Sequence, residues 1–336
     1  MVAPRNGPAC TRRATMAAGA ALLGGSTGCL SGDTDAVSVL SAGSLARTFE
    51  EHVGPAFESE TGIELRGEYY GTNALLRMVE DRTTVPDVIV SADATLLRDR
   101  LYGDLTEWDV TFAANSLGIG YDTRTELGSR LADGGPWYEL APETAPGTVA
   151  IADPDLDPLG YRAIQAFTLA GRRHNRPDLR GRMRGVVYEE PEEPQLLSGV
   201  ETGSRAAAVV YRNMAVDHGI EFVGFPPEYN FADPALANHY ATAEYTTDEG
   251  YTAVGRPILY NATVPDVAAI GDLQRLLLGS GTPPAGLGSV MMAGLRVVFV
   301  ASLGVCLLAA VAAWAVPGPG AAGPSPLEEG EVAADD

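Results

Sequence analysis

Residues 36–82 read AVSVLSAGSLARTFEEHVGPAFESETGIELRGEYYGTNALLRMVEDR and determine the expected fold class. AVSVLSAGSL is typical of a buried strand that runs into a turn, and the next segment places Phe49, Val53 and Phe57 on one face of a helix. IELRGEYYG predicts a second strand, TNALLRMVEDR a second helix, and DVIVSAD a third strand. This alternation of strand and helix indicates an α/β fold in which helices cover a largely parallel sheet.

Polar residues follow the first two predicted strands, where a helix is expected to begin. Ser44 stands after the first strand, and Thr72 and Asn73 stand after the second. Parallel sheets bind ligands beyond the carboxyl ends of their strands, and a helix N-terminus offers unpaired N–H donors and about half a positive charge. The pattern is compatible with an anion site and, for each residue taken singly, with the commoner role of helix N-cap.

The segment ADPDLDPLGYR, residues 152–162, concentrates three aspartates before an apolar helical pattern. Asp153 precedes a proline and is expected to shape the turn, and Asp155 is expected to be exposed. Asp157 stands directly before Pro158, a favourable first residue of a helix, so we expect it to be the N-cap. Because a capping carboxylate keeps free lone pairs, Asp157 can also bind a ligand.

The composition limits the classes of function. The 336 residues include 46% apolar residues, enough for a large core, and 44 acidic against 23 basic residues, all arginine, for a formal net charge of −21. So acidic a surface repels DNA, RNA and anionic lipid, which argues against a nucleic-acid-binding role. Acidic, lysine-free chains are typical of extreme halophiles, since at ~1 M salt the Debye length is only ~3 Å.

Both ends of the chain carry patterns related to membranes. TRRATMAAGAALLGGSTGC resembles a twin-arginine export signal that ends in a lipobox, with Cys29 as the site of lipid attachment; a disordered basic tail is the alternative. Residues 297–316 carry no charge and are long enough to cross ~30 Å of hydrocarbon, but their flanks do not obey the positive-inside tendency. A fused neighbouring reading frame is the other explanation for this segment.

Seven motifs occur in an order that resembles one family. They are VLSAGSL, YYGTNALL, DVIVSAD, FAANSLGIGY, ADPDLDPLGYR, VVYRNMAVDHGIEFVGFPPEYN and GRPILYNATVP, which extend from about residue 37 to residue 265. In this order they resemble the archaeal branch of the tungstate/molybdate-binding proteins of ABC transporters. The resemblance implies a two-lobed α/β protein of the type II periplasmic-binding-protein fold, each lobe a mixed, mostly parallel sheet covered by helices, that closes on its ligand by hinge motion.

The family resemblance also implies function. It implies a non-enzymatic extracellular component of an importer, membrane-anchored and monomeric, with a permease and an ATPase as partners, tungstate or molybdate as ligand and no cofactor. The expected segments are an export signal at 1–35, an oxyanion-binding domain at 36–280 (lobe I about 36–112 and 240–280, lobe II about 113–239), a linker at 281–296, a transmembrane helix at 297–316 and an acidic tail at 317–336.

Two carboxylates are the expected ligands of the metal atom in the oxyanion. By position in the family motifs they are Asp157 and Glu193, with Glu192 as the alternative because neighbouring glutamates leave the register open. Tungsten and molybdenum in their highest oxidation state can expand from four to six oxygens, which sulfur in sulfate cannot do, so the two acids would reject sulfate. The other expected ligand residues are Ser44, Thr72 and Tyr211, the last with interlobe packing as its alternative.

Two other functions are compatible with this sequence, one through the same carboxylates and one through the same fold. Asp153, Asp157, Glu193 and His218 could form the divalent-metal site of a hydrolase, although a lone histidine at a helix end is more typical of a C-terminal cap. A membrane-tethered anion sensor would use the same fold and the C-terminal apolar segment.

Overall fold

The computed structural model describes residues 36–191 and 193–265. The expected export signal with Cys29, the Glu192 alternative, the linker, the apolar segment 297–316 and the acidic tail lie outside these residues. Within the described part of the chain, no helix is both long and apolar enough to cross a bilayer.

Twelve strands form in the described residues. In chain order they are β1 (Ala36–Ala42), β2 (Glu64–Tyr70), β3 (Val88–Ser91), β4 (Val110–Ala114), β5 (Leu117–Tyr121), β6 (Val149–Ala152), β7 (Val187–Glu190), β8 (Ala207–Tyr211), β9 (Glu221–Gly224), β10 (Glu244–Thr246), β11 (Thr252–Val254) and β12 (Leu259–Thr263). The apolar strands β5, β6 and β8 are buried along their whole length, as is typical of strands covered on both faces.

Helices follow most of these strands. They are α1 (Ala46–Thr48), α2 (Gly54–Thr61), α3 (Thr72–Glu80), α4 (Ala94–Leu101), α5 (Glu126–Ala132), α6 (Trp137–Leu140), α7 (Pro158–Arg173), α8 (Leu179–Val186), α9 (Glu193–Glu201), α10 (Arg212–His218) and α11 (Ala237–Tyr240). A π-helical turn, Phe49–Val53, joins α1 to α2, and Gly62 ends α2 in the left-handed conformation. The helix expected after β1 is therefore continuous, with Phe49 and Phe57 in the core.

Lobe I is a five-stranded sheet in the order β2-β1-β3-β12-β4. β1 pairs in parallel with β2 and β3, whereas β12 pairs antiparallel with β3 and β4. The helical segment after β1 packs with Phe49 and Phe57 in the core, and α3 and α4 bury their leucines in a separate cluster with Leu40 and Ile89. The parallel part of this sheet is the part that the opening sequence pattern predicts.

Lobe II repeats the arrangement in the order β7-β6-β8-β5-β9. β6 pairs in parallel with β7 and β8, and β5 pairs antiparallel with β8 and β9. α7 is the longest helix of the described residues and is buried along most of its length. The two-lobed α/β architecture expected from the motifs is confirmed.

The antiparallel pairs arise where the chain passes between the lobes. β4 belongs to the first sheet and β5 to the second, so the chain first crosses at Asn115 and Ser116. It returns to the first sheet in β12, after the β10–β11 hairpin. The Ala253 carbonyl of this hairpin accepts a hydrogen bond from Gln165 of α7 at 2.8 Å. Each sheet is therefore mixed, with two parallel and two antiparallel pairings among its described strands, a balance that the alternation of strand and helix does not predict.

Gly160, in the first turn of α7, stands where this helix packs closely on the end of β6. A methyl group there would lie 2.3 Å from the Ala152 carbonyl oxygen and 2.6 Å from the Pro154 nitrogen. Because backbone atoms cannot move aside as flexible side chains do, we expect Gly160→Ala to reduce the free energy of unfolding by ~1–3 kcal/mol.

Gly181→Ala is the matched control, since Gly181 lies in the neighbouring helix α8 and its Cβ position has no atom within 4 Å. We expect this change to be neutral or to stabilise by ~0.5–1 kcal/mol. Thermal and denaturant unfolding in concentrated salt measure both variants, and a Gly160→Ala protein as stable as wild type would contradict the packing of α7 on β6.

Candidate functional site

Ser44 and Thr72 lie at the same edge of the lobe I sheet, just beyond the carboxyl ends of β1 and β2. These strands are parallel neighbours with Ala42 opposite Tyr70. Ser44 lies in the 3-10 turn Gly43–Leu45, Thr72 is the first residue of α3, and both are buried. The N-cap positions of these two helical segments are Ala42 and Gly71, without a side-chain cap. Simple N-capping therefore does not explain Ser44 and Thr72, and both residues stand in the first turn of a helical segment, where N–H groups have no partner within the helix.

Asp157 is the N-cap of α7, as the Asp-Pro pattern predicts. Its Oδ1 accepts a hydrogen bond of 2.6 Å from the Leu159 N–H. Its Oδ2 approaches lobe I and lies 2.8 Å from the point where a Cβ on Gly71 would stand. The side chain is only 4% exposed, so one oxygen caps the helix while the other is enclosed between the lobes.

Glu193 is the first residue of α9 and is only 3% exposed. Neither of its carboxylate oxygens has a hydrogen-bond partner among the described residues. Oε2 lies 2.6 Å from the point where a Cβ on Gly43 would stand, so Gly43, like Gly71 beside Asp157, leaves room for a carboxylate of the opposite lobe. An unpartnered buried carboxylate is costly, and the cost implies an occupant that the chain alone does not supply.

Burial raises the pKa of both carboxylates, and Asp157 raises that of Glu193 further. Burial, opposed by the Leu159 N–H, raises the pKa of Asp157 to about 6. Burial, together with the nearby Asp157 charge, raises the pKa of Glu193 well above its ordinary value. The closed, ligand-free pair therefore holds a proton at a pH at which exposed carboxylates are ionised.

Tyr211 ends β8 and is fully buried. Its hydroxyl oxygen accepts a 2.7 Å hydrogen bond from Nη1 of Arg162, and its ring stands edge-on to Tyr260 at a centroid distance of 6.2 Å. Burial raises the pKa of Tyr211 well above its ordinary value, and the charges of Asp157 and Glu193 act in the same direction. The hydroxyl therefore stays protonated near the carboxylate pair while the ring packs in the core, so both roles considered for Tyr211 fit together.

Arg162 and Asp93 form a buried ion pair between the lobes that the sequence analysis missed. Arg162, on α7, is 1% exposed, and its Nη2 lies 2.8 Å from Oδ2 of Asp93 at the start of α4. Nη1 of Arg162 also donates to the Ala92 carbonyl at 3.0 Å, and the Tyr161 hydroxyl donates to Asp93 at 2.6 Å. The available signal was an arginine inside the apolar helical pattern that follows Asp157, since buried charges occur in pairs.

Other contacts also hold the lobes in a closed arrangement. Asn73 Nδ2 donates to the Asp155 carbonyl at 3.1 Å, and Asn213 Nδ2 donates to the Ser44 carbonyl at 2.7 Å. Within the aspartate-rich loop, Asp153 accepts the Asp155 N–H at 2.8 Å, as expected of a turn residue. Asp155 is half-buried rather than exposed, because its Oδ1 accepts hydrogen bonds from the β10–β11 hairpin.

The hydrolytic metal site considered from the sequence does not form in the described residues. His218 ends α10, and its Nδ1 lies 2.7 Å from Oε1 of Glu201, a partner outside the carboxylate pair. No three His, Cys, Asp or Glu side chains of the described residues gather so that they could hold a metal ion. The site instead combines hydroxyl and N–H donors from lobe I with two enclosed carboxylates from lobe II, an arrangement suited to a small anion whose central atom accepts oxygen ligands.

The chain is similar in sequence to several proteins that are named as solute-binding or molybdenum-binding proteins. A putative ABC transporter molybdenum-binding protein of Haloferax volcanii is 37% identical over 279 residues, covering 80% of this chain and 88% of that protein. An uncharacterized solute-binding protein of Halobacterium salinarum is 52% identical over 254 residues, covering 76% and 82%. A molybdate/tungstate-binding protein of Pyrococcus abyssi is 27% identical over 274 residues, covering 70% and 79%.

The family model for bacterial extracellular solute-binding proteins matches residues 37–278, which include both lobes. This match agrees with the two mixed sheets, the helices that cover them and the two chain crossings between the lobes. The chain therefore belongs to the family of bacterial extracellular solute-binding proteins.

Proposed function

We propose that this protein captures tungstate or molybdate outside the cell, between its two lobes, and delivers it to the permease of an ABC importer. The observation that carries the proposal is the enclosed pair of Asp157 and Glu193, in which neither oxygen of Glu193 has a partner among the described residues. A site for an ordinary anion needs donors at these positions, and carboxylates offer only lone pairs once ionised.

Electrostatics decides which oxyanions such a site can accept. Two unit charges of like sign at ~4 Å repel by ~4 kcal/mol at an effective dielectric constant of ~20, so a carboxylate facing a dianion is unfavourable unless a bond compensates. Tungsten and molybdenum in their highest oxidation state are hard centres that take additional oxygen ligands. Asp157 and Glu193 would bond to the metal atom, whereas sulfate and phosphate would meet only the repulsion.

The oxide oxygens need donors, which lobe I and β8 supply in this proposal. The hydroxyls of Ser44, Thr72 and Tyr211 donate to them, together with N–H groups at the two helix starts. Gly43 and Gly71 allow the carboxylates to come close to these donors. Binding then joins the lobes, because the donors of lobe I and the carboxylates of lobe II contact one ligand.

The relatives support this ligand class, since the names of two of them specify molybdenum or molybdate and tungstate. As an external component of an importer, the protein would be a monomer that docks on a permease associated with an ATPase. Cys29 would attach it to the outer face of the membrane through lipid, and residues 297–316 would be a second or alternative anchor.

Asp157→Asn separates a ligand role from a capping role. Asn and Asp are similarly effective N-caps, so the helix should be preserved. If Asp157 bonds to the metal atom, affinity for tungstate should fall at least tenfold, or ~1.4 kcal/mol, in calorimetric titration in concentrated salt. Sulfate, which wild type should bind weakly or not at all, should bind no worse to the variant because a repelling charge has been removed.

Asp233→Asn is the matched control, because Asp233 also precedes a proline and caps a helical turn through the Ala235 N–H at 2.8 Å. We expect it to bind tungstate like wild type. An Asp157→Asn protein with wild-type tungstate affinity would remove Asp157 from the ligand set, and tight sulfate binding by wild type would remove the argument from metal coordination.

The raised pKa of Asp157 also predicts how ligand-free stability depends on pH. Its folded-state pKa of about 6 exceeds the value of ~3.9 for an unfolded chain, so the folded state holds more protons. The resulting stabilisation is complete below ~pH 4 and is lost as the pH rises through 6. Asp157→Asn has no carboxylate to ionise at this position and so does not lose this stabilisation. Without ligand, the melting temperature of the variant minus that of wild type should therefore increase as the pH rises from 4.5 to 7.5. A constant difference across this range would contradict a buried, destabilised carboxylate.

A further inference from the structure

Each hydroxyl expected to face the oxyanion already accepts a hydrogen bond from the protein. The Ala92 N–H donates to Thr72 Oγ1 at 3.1 Å, and the Tyr260 hydroxyl donates to Ser44 Oγ at 3.0 Å. Arg162 Nη1 donates to the Tyr211 hydroxyl at 2.7 Å. A hydroxyl has one proton, whose direction is set by its partners. Because the oxygen is engaged as an acceptor, its proton points away from the bonded donor and is free for another acceptor.

Arg162 differs from the other two donors because its own position depends on both lobes. Tyr260 and Ala92 belong to lobe I, like the hydroxyls of Ser44 and Thr72 that they contact. Arg162 and Tyr211 belong to lobe II, but the guanidinium of Arg162 is held by Asp93 and the Ala92 carbonyl of lobe I. When the lobes separate, these two contacts are lost, and nothing in lobe I then fixes the guanidinium against Tyr211.

The lobe I end of this contact is itself rigid. Oδ1 of Asp93 caps α4 by accepting the Thr95 and Leu96 N–H groups at 3.0 and 3.1 Å. Its Oδ2 receives both Arg162 and the Tyr161 hydroxyl. The carboxylate therefore has no freedom to follow a displaced guanidinium, and the geometry of the Arg162 fork is set by a helix start of the opposite lobe.

We propose that Arg162 is a positioning residue that turns the Tyr211 hydroxyl into a donor aimed at the oxyanion, and that it does so only when Asp93 and Ala92 hold it in the closed protein. The inference rests on the proposed oxyanion function and adds a coupling between lobe closure and the completion of the donor set. Tyr211 contributes little to the first encounter in the open protein and retains the ligand after closure. Loss of this contact should therefore act mainly on the dissociation rate.

A double-mutant cycle tests whether Arg162 acts through Tyr211. Arg162→Lys keeps a positive charge beside Asp93 but cannot contact Asp93, Ala92 and Tyr211 with one planar fork. We expect Tyr211→Phe to weaken tungstate binding ~10-fold, as for a lost hydrogen bond to a charged group, and Arg162→Lys to weaken it ~3- to 10-fold. Both losses should appear as faster dissociation in stopped-flow measurements, and the double variant should bind no more weakly than Tyr211→Phe alone.

Two further variants keep the test decisive. Asp93→Asn/Arg162→Met removes both buried charges and should give the same non-additivity with Tyr211→Phe if Arg162→Lys does not fold. Arg173→Lys, on the exposed part of the same helix, should leave tungstate affinity unchanged. If the Arg162 and Tyr211 losses multiply, or if the variants change only association, Arg162 does not position Tyr211 and this inference fails while the proposed function stands. Absence of tungstate binding by wild type would overturn both.

Discussion

The constraint on which the site depends is the burial of two carboxylates, Asp157 and Glu193, against each other between the lobes. One caps a helix with a single oxygen, and the other has no hydrogen-bond partner among the described residues. Glycine stands at residues 43 and 71, where a side chain would meet a carboxylate of this pair and, at residue 71, also the Leu156 carbonyl oxygen. The cost of burying the pair also indicates what a ligand would do, since an electron-poor central atom would replace the repulsion by bonds to the carboxylates.

A second buried charge pair closes the protein without adding to this negative charge. Arg162 and Asp93 neutralise each other between the lobes, and Arg162 also donates to Tyr211. Buried ion pairs contribute little net stability, but they are specific in geometry, and losing one partner is costly. The pair therefore defines a single closed arrangement, whereas the carboxylates determine what that arrangement can hold. At high salt the net charge of −21 is screened over a few ångströms, so affinity must come from these short contacts.

Much of the fold follows from local pattern, and less of the site does. β1, β2, β3, α3 and the N-cap at Asp157 lie where periodicity and the Asp-Pro signal predict them, because each depends on neighbours in sequence. The antiparallel pairings of β12 with β3 and β4 were not predictable in this way, since they depend on where the chain crosses between lobes. The same holds for Arg162 and Asp93, which are far apart in sequence and belong to different lobes. Thr72 lies one residue and Ser44 two residues beyond the caps of their helical segments, a difference too small for sequence pattern to decide.

The central claim is that both carboxylates bond to the metal atom of the bound oxyanion. Tungsten L3-edge X-ray absorption of the protein with bound tungstate measures this coordination directly. The account predicts a distorted six-oxygen environment, with two oxygens at longer distances than the oxide oxygens. A spectrum identical to that of free, four-coordinate tungstate would contradict it, because Asp157 and Glu193 would then face the anion without bonding to its metal.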